Sequence, residues 1–436
     1  MSALLTDSTL SLLAHGYAWA PDLRRAHEGA PLVRAHLFGR PAALLHGPEA
    51  VAFFYAEGGV QRHGALPAPV VDVLFGKGAV HTLDGPPHRV RKELFTSMLM
   101  SPSAVGDLTE GVGSAWDEAV AAWEGRRVVL FDEVATVLTE AICDWVGVPV
   151  PEDAAREIAE DCVAMVDGFA SAGPRHLRAR RARRRQEQAL AAAVADLRGT
   201  GPHPDGIFSP ALHASVAGSP LEAVAYHRGP DGTLLDPHTA AVELLNVIRP
   251  AVAIAWPAVF AAHALHRHPG RRDQLRAEGP GSAPARAFAH EVRRFYPFVP
   301  FIGAVAGRDL TFAGDELTAG TLLLLDVYGH HHDPELWERP YHFDPGRFLG
   351  REPGRDDLIP QGGGDARTGH RCPGEDITVS VLAALAPALA ALDFAVPPQD
   401  LSIPLNLIPT RPRSGFVIEG AHRPGSHRPL RLQPQH

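Results

Sequence analysis

Leu358-Ile359-Pro360-Gln361-Gly362-Gly363-Gly364, then a short polar insert, then Gly369-His370-Arg371-Cys372-Pro373-Gly374-Glu375: this stretch decides how the chain is read. Cys372 ends a glycine-rich loop and stands just before an apolar helical run, Ile377 to Leu392. Glycines allow unusual backbone angles and close approach of the chain to a flat ligand. A helix N-terminus offers free N–H groups and partial positive charge, both of which favour a thiolate. A thiolate so held suits a soft metal, haem iron among them. The same loop read alone also accommodates an inert, buried small hydrophobe, the commonest role of a single Cys.

Composition narrows the field. A chain of 436 residues carries a length prior of roughly three domains, yet no linker divides it. Apolar residues make up 45%, enough for a sizeable core, and a formal net charge of −9 argues against nucleic-acid binding. Cys143, Cys162 and Cys372 are odd in number and widely spaced, so no disulfide framework is implied. No basic residue precedes Arg24, which argues against a secretory signal. The longest apolar run, Ala251 to Ala262, contains Pro257 and is shorter than the ~20 residues of a spanning helix. The expectation is a soluble, cytoplasmic chain with no transmembrane segment.

Periodicity predicts a hairpin over Leu32 to Gly39 and Pro41 to Gly47, and helices over 48–56, 87–100, 102–124, 132–146, 152–172 and 175–198. A short strand is expected at Arg127 to Phe131, loop over most of 200–236, and one long apolar helix from His238 to His266. A helix over Pro284 to Phe295, strands at Ile302 to Phe312 and Thr321 to Asp326, a Pro/Gly-rich coil over 340–373 and a small sheet within 395–419 complete the reading. The class is mainly α with a small β portion. Residues 1–420 are expected to form one domain, and 421–436 a disordered, basic, Pro-rich tail.

Two constellations besides the Cys loop carry chemistry. Glu291 and Arg294 share a helix face, and Arg347, in Pro345-Gly346-Arg347-Phe348, can complete an Arg–Glu–Arg clamp on the coil before the Cys loop. Taken alone such a pair is more often a solvated face. Arg249 lies in a strongly apolar helix, where a buried guanidinium needs an anionic partner. Glu243, solvent and an anionic ligand are the three options. Pro250 follows it and interrupts helix hydrogen bonding. Two other features are discounted. His330-His331-His332-Asp333 cannot converge on one ion from a regular element and reads as a turn before Pro334. Seven arginines within Arg175 to Arg185 read as a solvated helix face.

The order Glu-x-x-Arg, Pro-x-Arg-Phe, Gly-x-x-Cys-x-Gly resembles the cytochrome P450 superfamily. Phe75-Gly76-Lys77-Gly78-Ala79-Val80-His81 and Glu243-Leu244-Leu245-Asn246-Val247-Ile248-Arg249-Pro250 narrow the resemblance to its fatty-acid peroxygenase branch, with its olefin-forming decarboxylase members, over about Asp7 to Gly420. The broad Cys signature has Phe seven and Gly four residues before the Cys. Here those slots hold Asp365 and Thr368, while His370 fills the basic slot two before the Cys. The departure follows that branch, whose loop resembles Gln-Gly-Gly-Gly followed by Gly-His-Arg-Cys. The oxygen-activating acid–alcohol pair of the central helix is also missing.

The resemblance implies a cytochrome P450 fold and haem b with Cys372 as its axial ligand. It implies that Arg249, with Pro250 beside it, holds a substrate carboxylate, and that Phe75 and His81 flank it. It places Arg62, His88 and Lys92 at the haem propionates, against a solvated basic face as the plainer option. A His at position 81 could donate a proton, its pKa being ordinarily near neutrality. Fatty acid and hydrogen peroxide are the implied reactants, with no redox partner, giving hydroxy acids or terminal alkenes. The competing expectations are an oxygen-dependent monooxygenase fed by a ferredoxin and a non-catalytic haem or acyl carrier.

Overall fold

The structure, a computed structural model, describes residues 7–56, 58–151, 154–199 and 218–424. The disordered tail expected at 421–436 lies largely outside these residues. Its first part does not behave as tail, because the last strand, Val417–His422, runs past Gly420 and pairs with Arg127–Val129 and Asp393–Ala395.

Helices form the body and a five-stranded sheet forms one flank. The sheet order is Leu32–Leu37, Arg40–Leu45, Leu322–Asp326, Phe301–Ala306, Val60–Gln61. The first pair is the expected hairpin, with Leu32 opposite Leu45. Leu322–Asp326 is buried throughout because it pairs on both sides and is covered on both faces. The mainly α architecture with minor sheet matches the expectation from periodicity.

Three boundaries differ, each for a physical reason. The strand at 127 stops at Val129. Leu130 and Phe131 send their N–H groups to Phe416 and Gly415 carbonyls but already turn into the helix Leu130–Val146. The long apolar helix is two helices, Pro237–Val252 and Ala255–Arg267. Pro250 has no N–H to return to the preceding turn, and the break follows it. The run Pro237–Arg267 is long and apolar enough to cross a membrane by length and composition, yet 94% of its most apolar window is buried inside the protein. A helix at Pro269–Glu278 was not expected, since Leu275 is its one buried side chain. Arg272 and Arg276 anchor it instead, donating to the Leu392 carbonyl at 2.5 and 3.2 Å.

The clamp behind the Cys loop is buried and closed. Arg294 donates to both oxygens of Glu291, at 2.7 and 2.8 Å, and both residues are 0% exposed. Arg347 Nε lies 3.3 Å from Glu291, whose carboxylate also accepts the Asp344 N–H at 2.7 Å. Arg294 donates further to the His331 and Pro340 carbonyls. The solvated-face option for this pair is excluded. The histidine run is not a turn but the end of a short helix, Val327–His331, and it braces the same coil. His331 Nε2 accepts the Ile359 N–H at 2.9 Å, and His330 Nε2 lies 2.9 Å from the Asp357 carbonyl.

Losing one member of a buried, hydrogen-bonded ion pair strands the other charge. Glu291→Leu is therefore expected to lower unfolding stability by about 3–5 kcal/mol, read by urea denaturation of the purified protein. An unchanged midpoint would mean that the pair does not hold the coil.

Candidate active site at the cysteine loop and the central helix

The Cys loop closes on itself before the helix Glu375–Ala391 begins. Cys372 N–H donates to the Gln361 carbonyl at 2.9 Å, which folds the two halves of the loop together. Gly362 and Gly364 have φ of +96° and +72°, and a Cβ at Gly362 would fall 2.6 Å from the Tyr55 hydroxyl. Only glycine satisfies both the backbone angle and that contact. Gln361 Nε2 lies 3.8 Å from Cys372 Sγ and donates to Thr378 Oγ1 at 3.0 Å. Glu375 ties the loop from below, accepting from Arg371 Nε at 2.7 Å and pairing with Arg293, which also reaches Gln361 Oε1 at 2.9 Å. Burial pushes the Cys372 thiol up, opposed by the Gly374 N–H, the Lys92 cation and Gln361, all of which favour the thiolate.

Above the loop is a cavity whose lining includes Cys372, Ile377, Ile142 and Leu108 on its apolar side and His88, Lys92 and His370 on its polar side. His81, Asn246 and Pro250 also line it. Haem needs a thiolate facing an apolar slot, with cations at one edge for its carboxylates. These residues fit that need. Lys92 is buried and donates to the Arg371 carbonyl at 2.5 Å, with its pKa pushed down to about 8 by burial. His88 stacks on His370 at 3.9 Å and is pushed down to about 3 by burial and by the neighbouring His370 and Lys92, so it is a neutral donor there. Arg62 is buried over the rings of Phe54 and Tyr55, at 4.3 and 5.2 Å, and is not itself part of the cavity wall. None of the three is a solvated basic face.

Arg249 is 6% exposed, and its Nε is buried with no hydrogen-bond partner. Burial lowers its pKa to about 9, and the neighbouring Arg183 cation pushes the same way. Glu243 does not neutralise it. That carboxylate is turned to Arg91 Nη1 at 2.5 Å and to the Val80 N–H at 2.9 Å. Of the three options for Arg249, the Glu243 ion pair and the solvent-reaching side chain are both excluded.

Phe75 and His81 stand together, ring centroids 4.6 Å apart. The expectation of a near-neutral His81 is corrected. Burial and the Arg249 charge hold its pKa well below the ordinary value, and its Nδ1 is buried without a partner. Burial, the larger cause, and the surrounding cations favour its neutral imidazole form. The reading of Arg175 to Arg185 as a solvated face is corrected at Arg183, which is 2% exposed and donates to the Leu74 and Phe75 carbonyls at 3.0 and 2.7 Å.

Arg183, Asn246, Gln361 and Arg293 were missed from sequence. Arg183 was hidden among six other arginines, and the rest carry no spacing signal. A charged residue among alanines on the helix Pro174–Leu197 was the one available hint.

A cytochrome P450 sequence profile matches residues 285–410. A single-substitution variant of cytochrome P450SP alpha (CYP152B1) is similar to this chain at 39% identity and a TM-score of 0.89, covering 96% of this chain and 100% of its own. Cytochrome P450EX alpha (CYP152N1), solved with myristic acid, is 32% identical with a TM-score of 0.88, covering 97% and 98%. The taurochenodeoxycholic 6 alpha-hydroxylase of Sus scrofa is 33% identical over 146 residues, 33% of this chain and 26% of its own length. The match thus spans about a quarter of that curated relative. Identity of this order over nearly the whole of both chains settles the family: the protein belongs to the cytochrome P450 superfamily, in its fatty-acid peroxygenase branch, and is a haem-thiolate oxidoreductase.

Proposed function

We propose that the protein oxidises medium- or long-chain fatty acids near the carboxyl end, using hydrogen peroxide and no redox partner. The carrying observation is Arg249: a buried cation with no carboxylate partner among the described residues, on the helix that lines the cavity above Cys372. An anionic head group relieves that unpaired charge, and an apolar tail suits the aliphatic wall.

Cys372 would supply the thiolate for haem b, and Lys92 and His88, with Arg62 buried behind them, would hold its carboxylates. Bound haem supplies hydroperoxide-driven oxidation of a C–H bond. Arg249 orients the fatty acid by a charge-assisted hydrogen bond, which is short and directional. The carboxylate it holds takes a proton from hydrogen peroxide and returns it to the departing oxygen, so the substrate does the general acid–base work. This accounts for a helix that reads Val247-Ile248-Arg249-Pro250-Ala251-Val252-Ala253, without the acid–alcohol pair an oxygen-dependent enzyme needs. Pro250 opens the helix beside the cation, and Phe75 closes the facing wall. His81, kept neutral mainly by burial, serves as a hydrogen-bonding imidazole beside the head group. The product is a hydroxy acid or a terminal alkene with carbon dioxide. The same reading takes the chain as one domain, extended by its last strand to His422 rather than ending at Gly420, in a cytoplasmic setting.

Two outcomes test the reading. Cys372→Ser is expected to remove the thiolate-type Soret band of the ferrous–CO form. Retention of that band would disprove the ligand assignment. Arg249→Ala is expected to lower peroxide-driven kcat/KM on fatty acids by roughly a hundredfold or more, with no NAD(P)H or ferredoxin in the assay. Full activity in that variant would sink the carboxylate role.

A further inference from the structure

Glu243 precedes Arg249 on one helix and is 0% exposed, yet it serves a different cation. Its Oε1 accepts from Arg91 and from the Val80 N–H. Val80 opens the short 3-10 turn Val80–Thr82 that carries His81. A turn further on the same helix, Asn246 Nδ2 donates to the Phe75 carbonyl at 2.8 Å. Its amide cannot be reversed without loss, because the Phe75 carbonyl and, at 3.5 Å, Glu243 Oε2 are both acceptors only. Between the two ties, Gly76 has φ of +85°, and a Cβ there would lie 2.3 Å from Arg183 Nη2.

The segment bearing Phe75 and His81 is thus fastened at both ends to the helix that bears Arg249. A buried N–H such as that of Val80 requires some acceptor, and a neutral one would satisfy it. The carboxylate does more, because Arg91 also donates to Oε1, the oxygen that takes the Val80 N–H, and so holds that acceptor in place. The position of Phe75 and His81 relative to Arg249 is then set by that helix, by the two hydrogen bonds from it, and by Arg183 on the Leu74 and Phe75 carbonyls.

We propose that Glu243 is a positioning residue: through the Val80 N–H it fixes His81 and Phe75 against Arg249, and so selects which carbon beside the substrate carboxylate is oxidised. This rests on the reading of Arg249 as the carboxylate holder. With the head group pinned at Arg249, the carbon presented depends on where the facing wall stands. A displacement of about 1 Å in such a wall is enough to change rates by on the order of a hundredfold.

The test uses the holoenzyme, hydrogen peroxide and one saturated straight-chain fatty acid, with products resolved by mass spectrometry. Glu243→Leu combined with Arg91→Met removes both charges, so neither is left unpaired. Glu243→Gln keeps an acceptor for the Val80 N–H. The double variant is expected to change the ratio of Cα to Cβ oxidation by on the order of tenfold, with fatty-acid affinity little changed because Arg249 remains. The Gln variant is expected to stay near the parent ratio. Should the double variant lose the thiolate-type ferrous–CO band, Asn246→Ala, which removes the central helix's own tie to the Phe75 carbonyl without stranding a charge and leaves only the Arg183 bond there, carries the same expected shift. A folded double variant, or Asn246→Ala in its place, with lower yield but the parent ratio would show that Glu243 only supports the fold, and would overturn the proposal. A parent protein that does not oxidise the fatty acid with peroxide at all would overturn instead the reading of Arg249 on which it rests.

Discussion

An unneutralised guanidinium in an apolar helix is the constraint around which this active site is built. Leaving Arg249 uncompensated costs several kcal/mol, and the sequence does little to reduce that cost. The acid on the same helix, Glu243, stands six residues away, off the Arg249 face, and is committed to Arg91 and to the Val80 N–H. A second cation, Arg183, makes the place still less hospitable to positive charge. Folding therefore holds a charge ready for an anion that the chain itself does not provide. Proteins keep such strained arrangements where the ligand relieves them.

That demand propagates outward. Arg183 is held by carbonyls of the segment leading to Phe75, so a cation also serves as a clasp. The segment so clasped leads to Phe75 and on to His81, and Pro250, inside the helix Pro237–Val252, lines the cavity. On the other side of the cavity the requirement is opposite in sign: a sulfur anion must be held in an apolar slot. Gln361, the Gly374 N–H and Lys92 meet it directly, while Glu375, Arg371 and Arg293 fix the loop that carries them. Behind these, the Glu291, Arg294 and Arg347 cluster and the histidines at 330 and 331 immobilise the coil feeding the loop. The two electrostatic extremes are treated differently: the sulfur side is stabilised by groups from residues distant in sequence, whereas the buried Arg249 Nε has no hydrogen-bond partner.

Much of this was legible in order of residues. The Glu-x-x-Arg helix, the Pro-x-Arg-Phe turn and the Cys loop each have a local chemical reason, and the structure brings the three together. Arg249 stood out because a charge in an apolar helix has few explanations. What escaped the sequence depended on tertiary neighbours. Whether Glu243 would meet Arg249 turns on the location of Arg91, a residue on another helix. The neutrality of His81 and His88 comes from burial and neighbouring cations, which no local pattern encodes. Arg183 differs from its six arginine neighbours only in facing inward. The helix Pro269–Glu278 carries no apolar stripe because hydrogen bonds to carbonyls near Leu392 hold it in place of packing.

The central claim is that a carboxylate must fill the place beside Arg249. The most direct measurement compares a fatty acid with its own methyl ester, at equal chain length, in peroxide-driven turnover by the unaltered holoenzyme. The ester keeps the tail and loses the anion. The acid should be oxidised near its head group while the ester is turned over at least roughly a hundredfold more slowly. Comparable turnover of the two would contradict the role given to Arg249, whatever the integrity of the haem-thiolate loop.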